Sequence, residues 1–592
     1  MDIKKQILKR YYGFNSFREG QQEIIEAILN RRDTVAVMPT GSGKSLCFQI
    51  PALMLEGGTI VISPLISLMK DQVDSLNTMG IPASYINSSL DYREIGERIQ
   101  QFINGSSKIM YLAPERLESL YYNKPFMSSA IAQIAVDEAH CVSEWGHDFR
   151  KSYKNISEFV KAIETRPVVS AFTATATRQV KEDIVKLLDL SGPAFYDMGL
   201  RRSNLYLEVV KGENKESFLK KYLKKRTRES GIIYFSTRKG VDRTYSLLKK
   251  KGYNVGRYHA GMEPVERKAT QDRFINEEID YILSTNAFGM GIDKPNIRFI
   301  IHYNMPKNIE AYYQEIGRAG RDGEPAEAYL LFSEADKHIH RFLLEKSISD
   351  ESRTMLAGKK LQKMINFCHT NRCLWRYVSD YFDEDNNDDC DNCNNCLDKT
   401  KKEIDVTIET QKILSCVFRV RENFGASTVA AVLKGSKSKK LVQRNLDKVS
   451  TYGIMNEKTV KEIRELIDFL TAEGYLFVTH GKYPLLKLNE SSWEVLRGKR
   501  QVYKKTVVFE EHKAHDSGLF EVLRKLRREI AREENVPPYV VFHDYTLEQM
   551  CEVLPEKSEE LLDIKGVGDK KMMKYGERFI NAIQNNLGVR SE

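Results

Sequence analysis

The chain has 592 residues, 41% hydrophobic and 29% charged, an ordinary globular composition. Its net charge of +9, from 91 basic against 82 acidic residues, tilts toward a polyanionic partner without specifying one. Nine cysteines are too few for a disulfide scaffold at this length, no run reaches the ~18 apolar residues of a membrane span, and the opening MDIKKQILKRYYGF has no apolar core of signal-peptide length. The expectation is a soluble, intracellular, cytoplasmic protein of about three to five domains, with no membrane partner.

In chain order, DTVAVMP (33–39), GTIVISP (58–64), KIMYLAP (108–114), IAQIAVDE (131–138) and PVVSAFTAT (167–175) are short apolar runs ending in turn residues. They read as buried parallel strands separated by helices, hence an α/β class with a wound parallel sheet. After a link near 196–212 a second series follows: GIIYFS (231–236), NVGRYHAGM (254–262), IDYILST (279–285), IRFIIHYNM (297–305) and AEAYLLFS (326–333). Helices and a cysteine cluster begin near 340. Residues 405–500 mix helices with a late hairpin, YLFVTHGKYPLLKL (475–488); 498–518 is polar and basic and reads as a linker; the remainder is helical.

The stretch VAVMPTGSGKSLCFQIP (35–51) is a strand, a glycine-bearing loop and a helix. Its backbone amides around Thr40, Gly41, Ser42 and Gly43 can cradle phosphates, with Lys44 reaching the β/γ-phosphates and the Ser45 hydroxyl ligating Mg²⁺. The strict pattern opens on glycine, and Met38 holds that place here. Asp137 and Glu138 close an apolar strand, where an open parallel sheet presents ligand-binding groups. Asp137 suits Mg²⁺, and Glu138 suits activation of the attacking water. In the second half, YYQEIGRAGRDG (312–323) carries Gln314, Arg318 and Arg321, two arginines three apart and so on one helix face or in a cleft-facing turn. An arginine supplied against a γ-phosphate is worth ~10³–10⁵ in rate.

Cys373, Cys390, Cys393 and Cys396 have the spacing C-x16-C-x2-C-x2-C. Four thiolates suit a closed tetrahedral Zn²⁺ site, structural rather than catalytic, with an iron–sulfur cluster as the rival. The other cysteines, 47, 141, 368, 416 and 551, read as packing.

The ordered set FREGQ (17–21), PTGSGKS (39–45), SPLISLMKDQV (63–73), DEAH (137–140), TAT (173–175), NAFGMGIDKPNIRFIIHYN (286–304) and QEIGRAGRDG (314–323) resembles superfamily 2 helicases, and more narrowly the RecQ family of DNA helicases, over essentially the whole chain. The resemblance implies two RecA-like lobes (1–200 and 201–340), a zinc-binding subdomain (341–403), a winged-helix domain (404–500), a linker (501–515) and a helicase-and-RNase-D C-terminal (HRDC) domain (516–592). It implies that Phe14 stacks on adenine, Gln21 bonds the base edge and Arg18 supports them, and that the cysteine site takes zinc. It places His140 to sense the γ-phosphate or the facing lobe.

The tail of DEAHCVSEWGHDFR (137–150) resembles that family's aromatic-rich loop. Trp145 and Phe149 would touch DNA bases, His147 and Arg150 would support them, and Gly146 would give the loop freedom; a Trp and Phe bracing the core is the alternative. In the winged-helix region, LKGSKSKKLVQRNL (433–446) would feed a recognition helix, with Lys434, Lys437, Lys439 and Lys440 facing phosphates. Tyr483 in the wing, and Tyr539 or Tyr545 with the amides of 563–576 in the C-terminal domain, are further candidate contacts. The implied activity is ATP- and Mg²⁺-dependent unwinding of DNA with 3′–5′ polarity, in recombination, repair and replication-fork processing. The implied partners are single-stranded, forked or tailed duplex DNA, a single-stranded-DNA-binding protein and a topoisomerase, in a nucleoid-associated protein. An RNA helicase with the same motor and a DNA-binding scaffold with little unwinding remain open.

Overall fold

The computed structural model describes residues 2–146, 148–226, 229–289, 294–347, 350–384, 388–397, 401–479, 484–507, 517–534, 541–542, 544–564, 566–568 and 571–588. The chain divides into two compact units, Met1–Lys399 with Glu403–Lys505, and Thr400–Lys402 with Thr506–Glu592.

The first lobe is built on seven strands: β1 (Thr34–Val37), β2 (Gly58–Ile62), β3 (Ala83–Ile86), β4 (Ile109–Leu112), β5 (Ile131–Val136), β6 (Val168–Thr173) and β7 (Ala194–Asp197). They form one sheet in the order β3-β4-β2-β5-β6-β1-β7, and its pairs are parallel. The second lobe has β8 (Leu205–Lys211), β9 (Ser230–Tyr234), β10 (Val255–Tyr258), β11 (Tyr281–Ser284), β12 (Ile297–His302) and β13 (Ala326–Phe332), ordered β10-β11-β9-β12-β13-β8 and likewise parallel.

Continuous apolar runs form the strands buried at every residue, β1, β2, β4, β5 and β6 in the first lobe and β11 in the second, as covering both sheet faces with helices requires. The strands that no apolar run announced are β3, β7 and β8. They lie at sheet edges and alternate between buried and exposed residues. The segment near 196–212 is therefore not a bare link, since it ends one sheet and begins the next. A further strand, Tyr503–Val507, falls within the stretch read as a linker.

The order of the first sheet sets the ends of β1, β6 and β5 side by side, which gathers the glycine loop, the TAT segment and the acidic pair at one rim. Asp33, at the opposite end of β1, clamps that arrangement. Its buried carboxylate accepts from Arg166 (Nη1 at 3.1 Å, Nη2 at 2.5 Å) and from the backbone N–H groups of Val169 (2.9 Å) and Ser191 (2.8 Å).

The cysteine-bearing region has no core of its own. Trp375, Cys373, Cys390 and Cys393 share one buried cluster with Leu207, Ile300, Tyr312 and Tyr313 of the second lobe. The helices Thr407–Arg419, Ala426–Lys434 and Val460–Ala472 form a separate core around Ile413, Val429 and Leu466. In the second unit, the helices Ser517–Glu533, Asp544–Val553 and Glu577–Gly588 pack around Leu523, Phe542, Leu547 and Phe579. Among the described residues, no helix is long and apolar enough to cross a membrane.

Replacing Asp33 by Ala leaves two strand-entry amides without their acceptor. At ~1.5–3 kcal/mol for hydrogen bonds to a charged group, the expected loss is about 2 kcal/mol. A fall of about 4–8 °C in the lobe's thermal transition, read by calorimetry, is the measurement.

Candidate nucleotide cleft, metal centre and DNA-facing loop

The glycine loop follows β1 directly, and Gly43 (φ 86°) caps the helix Lys44–Met54. Ser42 Oγ donates to Pro39 O at 2.7 Å, which closes the loop on itself. Gly41 has φ 82°, and a Cβ there would meet Arg321 Cγ at 2.9 Å. A side chain is thus excluded both by backbone conformation and by an arginine from the second lobe. On the same side, a Cβ added at Gly317 would fall 2.8 Å from Thr40 Oγ1. The turn 317–321 therefore lies on the glycine loop.

The two arginines do not share a face. Their helix, Ile309–Ile316, ends before them, and Gly320 takes φ 58° in the turn that follows. Arg318 is buried and donates to Gly289 O inside its own lobe. Arg321 alone of the two is the one laid on Gly41. Gln314 and Arg318 line a cavity of about 330 Å³ with Asn304, His302 and Asp148. Of the two arrangements that a spacing of three allows, the helix face is excluded because the helix has already stopped, and the turn is the one observed.

Across the rim, Asp137 accepts from Glu138 N at 3.0 Å. Burial, and then the Glu138 charge, push its carboxyl up to about 7, while Lys44 pulls the other way. Glu138 sits in the left-handed region at φ 48°, a conformation that costs a non-glycine residue of order 1 kcal/mol or more and that clusters at functional sites. His140 Nδ1 is 2.9 Å from Thr173 Oγ1 and 3.3 Å from Glu138 Oε2. Burial, then the Lys44 charge, depress its pKa to about 3, so the ring is neutral at pH 7. It connects the acidic pair to the TAT segment of β6.

Of Phe14, Arg18 and Gln21, expected to meet a base, the latter two lie beside the glycine loop. Phe14 is 53% exposed and offers a free ring face. Gln21 is buried: its Oε1 accepts from Arg18 N at 2.9 Å, and its Nε2 donates to Ser42 O at 2.9 Å. Arg18 Nη1 donates to Gly41 O at 2.5 Å. In this structure Gln21 and Arg18 hold the phosphate loop's carbonyls, and contact with a base edge requires Gln21 to release them.

Four cysteine sulfurs, of Cys373, Cys390, Cys393 and Cys396, lie within 4.8 Å of one another. The Cys393–Cys396 and Cys390–Cys396 separations are 3.5 and 3.9 Å, against edges of about 3.8 Å for a tetrahedron with Zn–S of about 2.3 Å. Backbone N–H groups of Leu374, Arg376, Cys390 and Asn392 point at these sulfurs, as thiolate ligands require. The donor set fits zinc. Cys47, Cys141, Cys368 and Cys416 are buried elsewhere in the cores.

The aromatic loop follows the acidic pair at once. Trp145 is 49% exposed, so it does not brace the core. Phe149 lies under Lys154 (5.2 Å) and Arg353 (5.3 Å). Arg150 donates to Pro64 O at 2.9 Å, which ties the loop to the end of β2 instead of to a neighbouring ring. Gly146 confers no freedom: a Cβ there would fall 2.3 Å from His140 O and 3.0 Å from Ser143 O, so its role is close backbone approach. His147, Tyr483 and Tyr539 lie outside the described residues, as does the side chain of Tyr545.

Similarity to known proteins accords with this arrangement. Family models match in order as DEAD/DEAH box helicase (18–183), helicase conserved C-terminal domain (214–323), RecQ zinc-binding (334–397), RQC domain (400–513) and HRDC domain (516–583). The chain is 46% identical over 579 residues to the ATP-dependent DNA helicase RecQ of Bacillus subtilis, covering 98% of both chains. It is 38% identical over 597 residues to that of Haemophilus influenzae, covering 98% of this chain and 96% of the relative. The chain belongs to the RecQ family. It is an ATP-dependent DNA helicase with two RecA-like lobes, a zinc-binding domain, a winged helix and a helical HRDC domain.

Within this RecQ architecture the lysine segment differs from expectation. Lys437, Lys439 and Lys440 are exposed, but their helix is only Lys439–Gln443, while Lys434 is engaged with Asn456 O. The domain's longer helices are Thr407–Arg419 and Val460–Ala472, the latter opened by a Thr459–Glu462 capping box.

Several side chains that no motif marked hold the cleft. Arg202 donates to Gly317 O and Gly320 O, and Asn204 donates to Gly320 O at 2.9 Å, so the segment before β8 fixes the arginine turn. Tyr153 OH donates to Asp137 O at 2.9 Å. Arginine, asparagine and tyrosine outside a recognised pattern carry no signal until the fold supplies their partners.

Metal analysis of purified protein is expected to find about one zinc per chain. Cys390→Ser should lose that zinc and lower the thermal transition of the first unit. Iron in the wild-type protein, or full zinc retention by the variant, would overturn the assignment.

Proposed function

We propose that this RecQ helicase hydrolyses ATP between its lobes and converts closure of that cleft into 3′–5′ movement along single-stranded DNA. Forked and tailed duplexes are then its substrates in recombination, repair and fork processing. Single-stranded-DNA-binding protein and a topoisomerase are the partners that the family likeness suggests. One observation carries the reading: Arg321 of the second lobe lies across Gly41 of the first, so the phosphate site is complete only when both lobes contribute.

The roles follow from chemistry. The amides of 40–43 and Lys44 hold the phosphates at a helix N-terminus. The Ser45 hydroxyl and the Asp137 carboxylate are hard oxygen donors suited to Mg²⁺, which when bound neutralises phosphate charge. Glu138 orients and deprotonates water, steadied by neutral His140. Arg321 opposes charge developing on the γ-phosphate, and Gln314 lines the same interface; Arg318 keeps its lobe's loop in place. Phe14 stacks on the base. Trp145 and Phe149 meet DNA bases, a role in which the family likeness gives His147 a share, and Arg150 anchors their loop. Lys437, Lys439 and Lys440 face phosphates of the duplex arm.

Lys44→Ala should abolish turnover while leaving DNA binding largely intact, and a variant that still unwinds would remove this cleft from the mechanism. Trp145→Ala should lose DNA-stimulated ATPase by a larger factor than basal ATPase. Tailed duplexes test polarity directly: unwinding from 5′ tails alone would reverse it.

Asp137 adds a pH dependence. Its carboxyl, raised to about 7, must shed a proton to take a cation, so metal and proton compete. Between pH 8 and pH 6 the ionised fraction falls about tenfold, and the Mg²⁺ concentration for half-maximal ATPase should rise about as much. A half-saturation that stays flat across this range would separate Asp137 from the metal.

A further inference from the structure

The helix Glu351–His369 belongs to the zinc-bearing region, yet two of its basic side chains reach the aromatic loop of the first lobe. The Arg353 guanidinium lies 5.3 Å from the centre of the Phe149 ring. Two turns further on, Lys360 Nζ donates to the Trp145 carbonyl at 2.6 Å. A separation of seven residues puts both on one helix face.

Lys360 has a second partner in the other lobe. Its Nζ is 2.7 Å from Glu310 Oε1, and Glu310 stands in the first turn of Ile309–Ile316. That helix carries Gln314 and runs directly into the turn that lays Arg321 on Gly41. Lys360 and Glu310 are shielded, their side chains 13% and 6% exposed, so their pairing is screened little by solvent compared with a surface bridge.

We propose that Lys360 is a positioning residue that couples the aromatic loop to the arginine-bearing helix of the second lobe. The inference rests on the reading that Trp145 meets DNA. An ammonium offers three donors in a compact head, and here two go to groups on different lobes. When the backbone of Trp145 shifts, Lys360 either follows it, pulling on Glu310, or stays with Glu310 alone. In the first case the charge at the root of the helix leading to Arg321 moves with the loop; in the second the loop is released and that helix keeps its counter-charge. This route is distinct from the Tyr153–Asp137 bond, which links the loop to the acidic pair within the first lobe.

The test uses the full chain, with zinc content and thermal transition measured for every variant. Lys360→Met keeps the apolar stem without charge or donors, Lys360→Arg restores both, and Glu310→Gln keeps shape without charge. Basal ATPase, ATPase with single-stranded DNA, KM for ATP and DNA affinity are measured for each. Lys360→Met is expected to lose about tenfold in DNA-stimulated kcat, within the usual span of coupling between sites, with DNA affinity and KM within about twofold of wild type. Lys360→Arg should recover most of the loss, and Lys360→Met with Glu310→Gln should lose no more than Lys360→Met alone. Undiminished stimulation in Lys360→Met, additive losses in the double variant, or a loss matched by weaker DNA binding would each overturn the proposal. Trp145→Ala is assayed in parallel. If it keeps full stimulation and affinity, the loop reading itself fails; if it loses stimulation while Lys360→Met does not, only the Lys360 link fails.

Discussion

The turn 317–321 rests on Thr40 and Gly41, and the rest of the motor either permits that approach or depends on it. Gly41 must lack a side chain twice over, for its φ of 82° and for the Arg321 methylene against it. Arg321 brings a guanidinium to a loop already bonded by Arg18, with Lys44 at its end. Arg202 stands behind the turn; burial, together with Arg321 and Arg18, pushes its pKa down, although a guanidinium stays charged. Cations converging in one cleft repel, and an anion of several charges between them offsets that repulsion. A glycine-bearing loop at a helix N-terminus is the kind of backbone that accepts such an anion, and here it lies where the two lobes meet.

At the acidic pair on the same rim, the chemistry is organised by burial. Neutral His140 can receive hydrogen bonds without adding a charge that would pair permanently with Glu138, and the left-handed backbone of Glu138 turns its side chain away from the strand direction. The strand β5 ends at Val136, and four residues after Glu138 the chain has already entered the aromatic loop. That loop is short and tightly held: Gly146 has no room for a Cβ, Ser143 Oγ bonds Asp183 at 2.5 Å, and Arg150 is bonded to Pro64 O. A stiff loop transmits displacement where a slack one would absorb it. The exposed Trp145 therefore follows the acidic pair on a segment held at Ser143, Gly146 and Arg150.

Much of this was legible in the chain, and what escaped did so for identifiable reasons. Strands buried on both faces write themselves as apolar runs, and so β1, β2, β4, β5 and β6 were readable. Strands at the sheet edges, such as ASYI and AFYD, alternate and pass for loops. The glycine loop, acidic pair, cysteine spacing and arginine segment were readable because their chemistry demands fixed residue types at fixed separations. The divergence of Arg318 from Arg321, the inward turn of Gln21 and the tightness of Gly146 were not. Each is set by a partner far away in sequence. Arg202, Tyr153 and Lys360 belong with them, because a lone basic or phenolic side chain has no local pattern to betray it.

The position of the zinc site follows from the same logic of distant partners. Arg201 donates to the carbonyls of Asp389 and Cys390, Asn392 donates to Ser203 O at 2.8 Å, and the Trp375 indole donates to Leu205 O at 3.1 Å. Cys393 itself pairs with Leu207 of β8. The five residues from 201 to 205 are therefore gripped on one side by the cysteine knuckle, and Arg202 and Asn204 grip the arginine turn on the other. A closed four-thiolate site has no open position for chemistry. What it supplies is a rigid set of carbonyls at a place where the shared core, built from Trp375, Tyr312 and Tyr313, leaves a loop to be fixed. The four-cysteine knuckle thus backs the segment that holds the turn carrying Arg321.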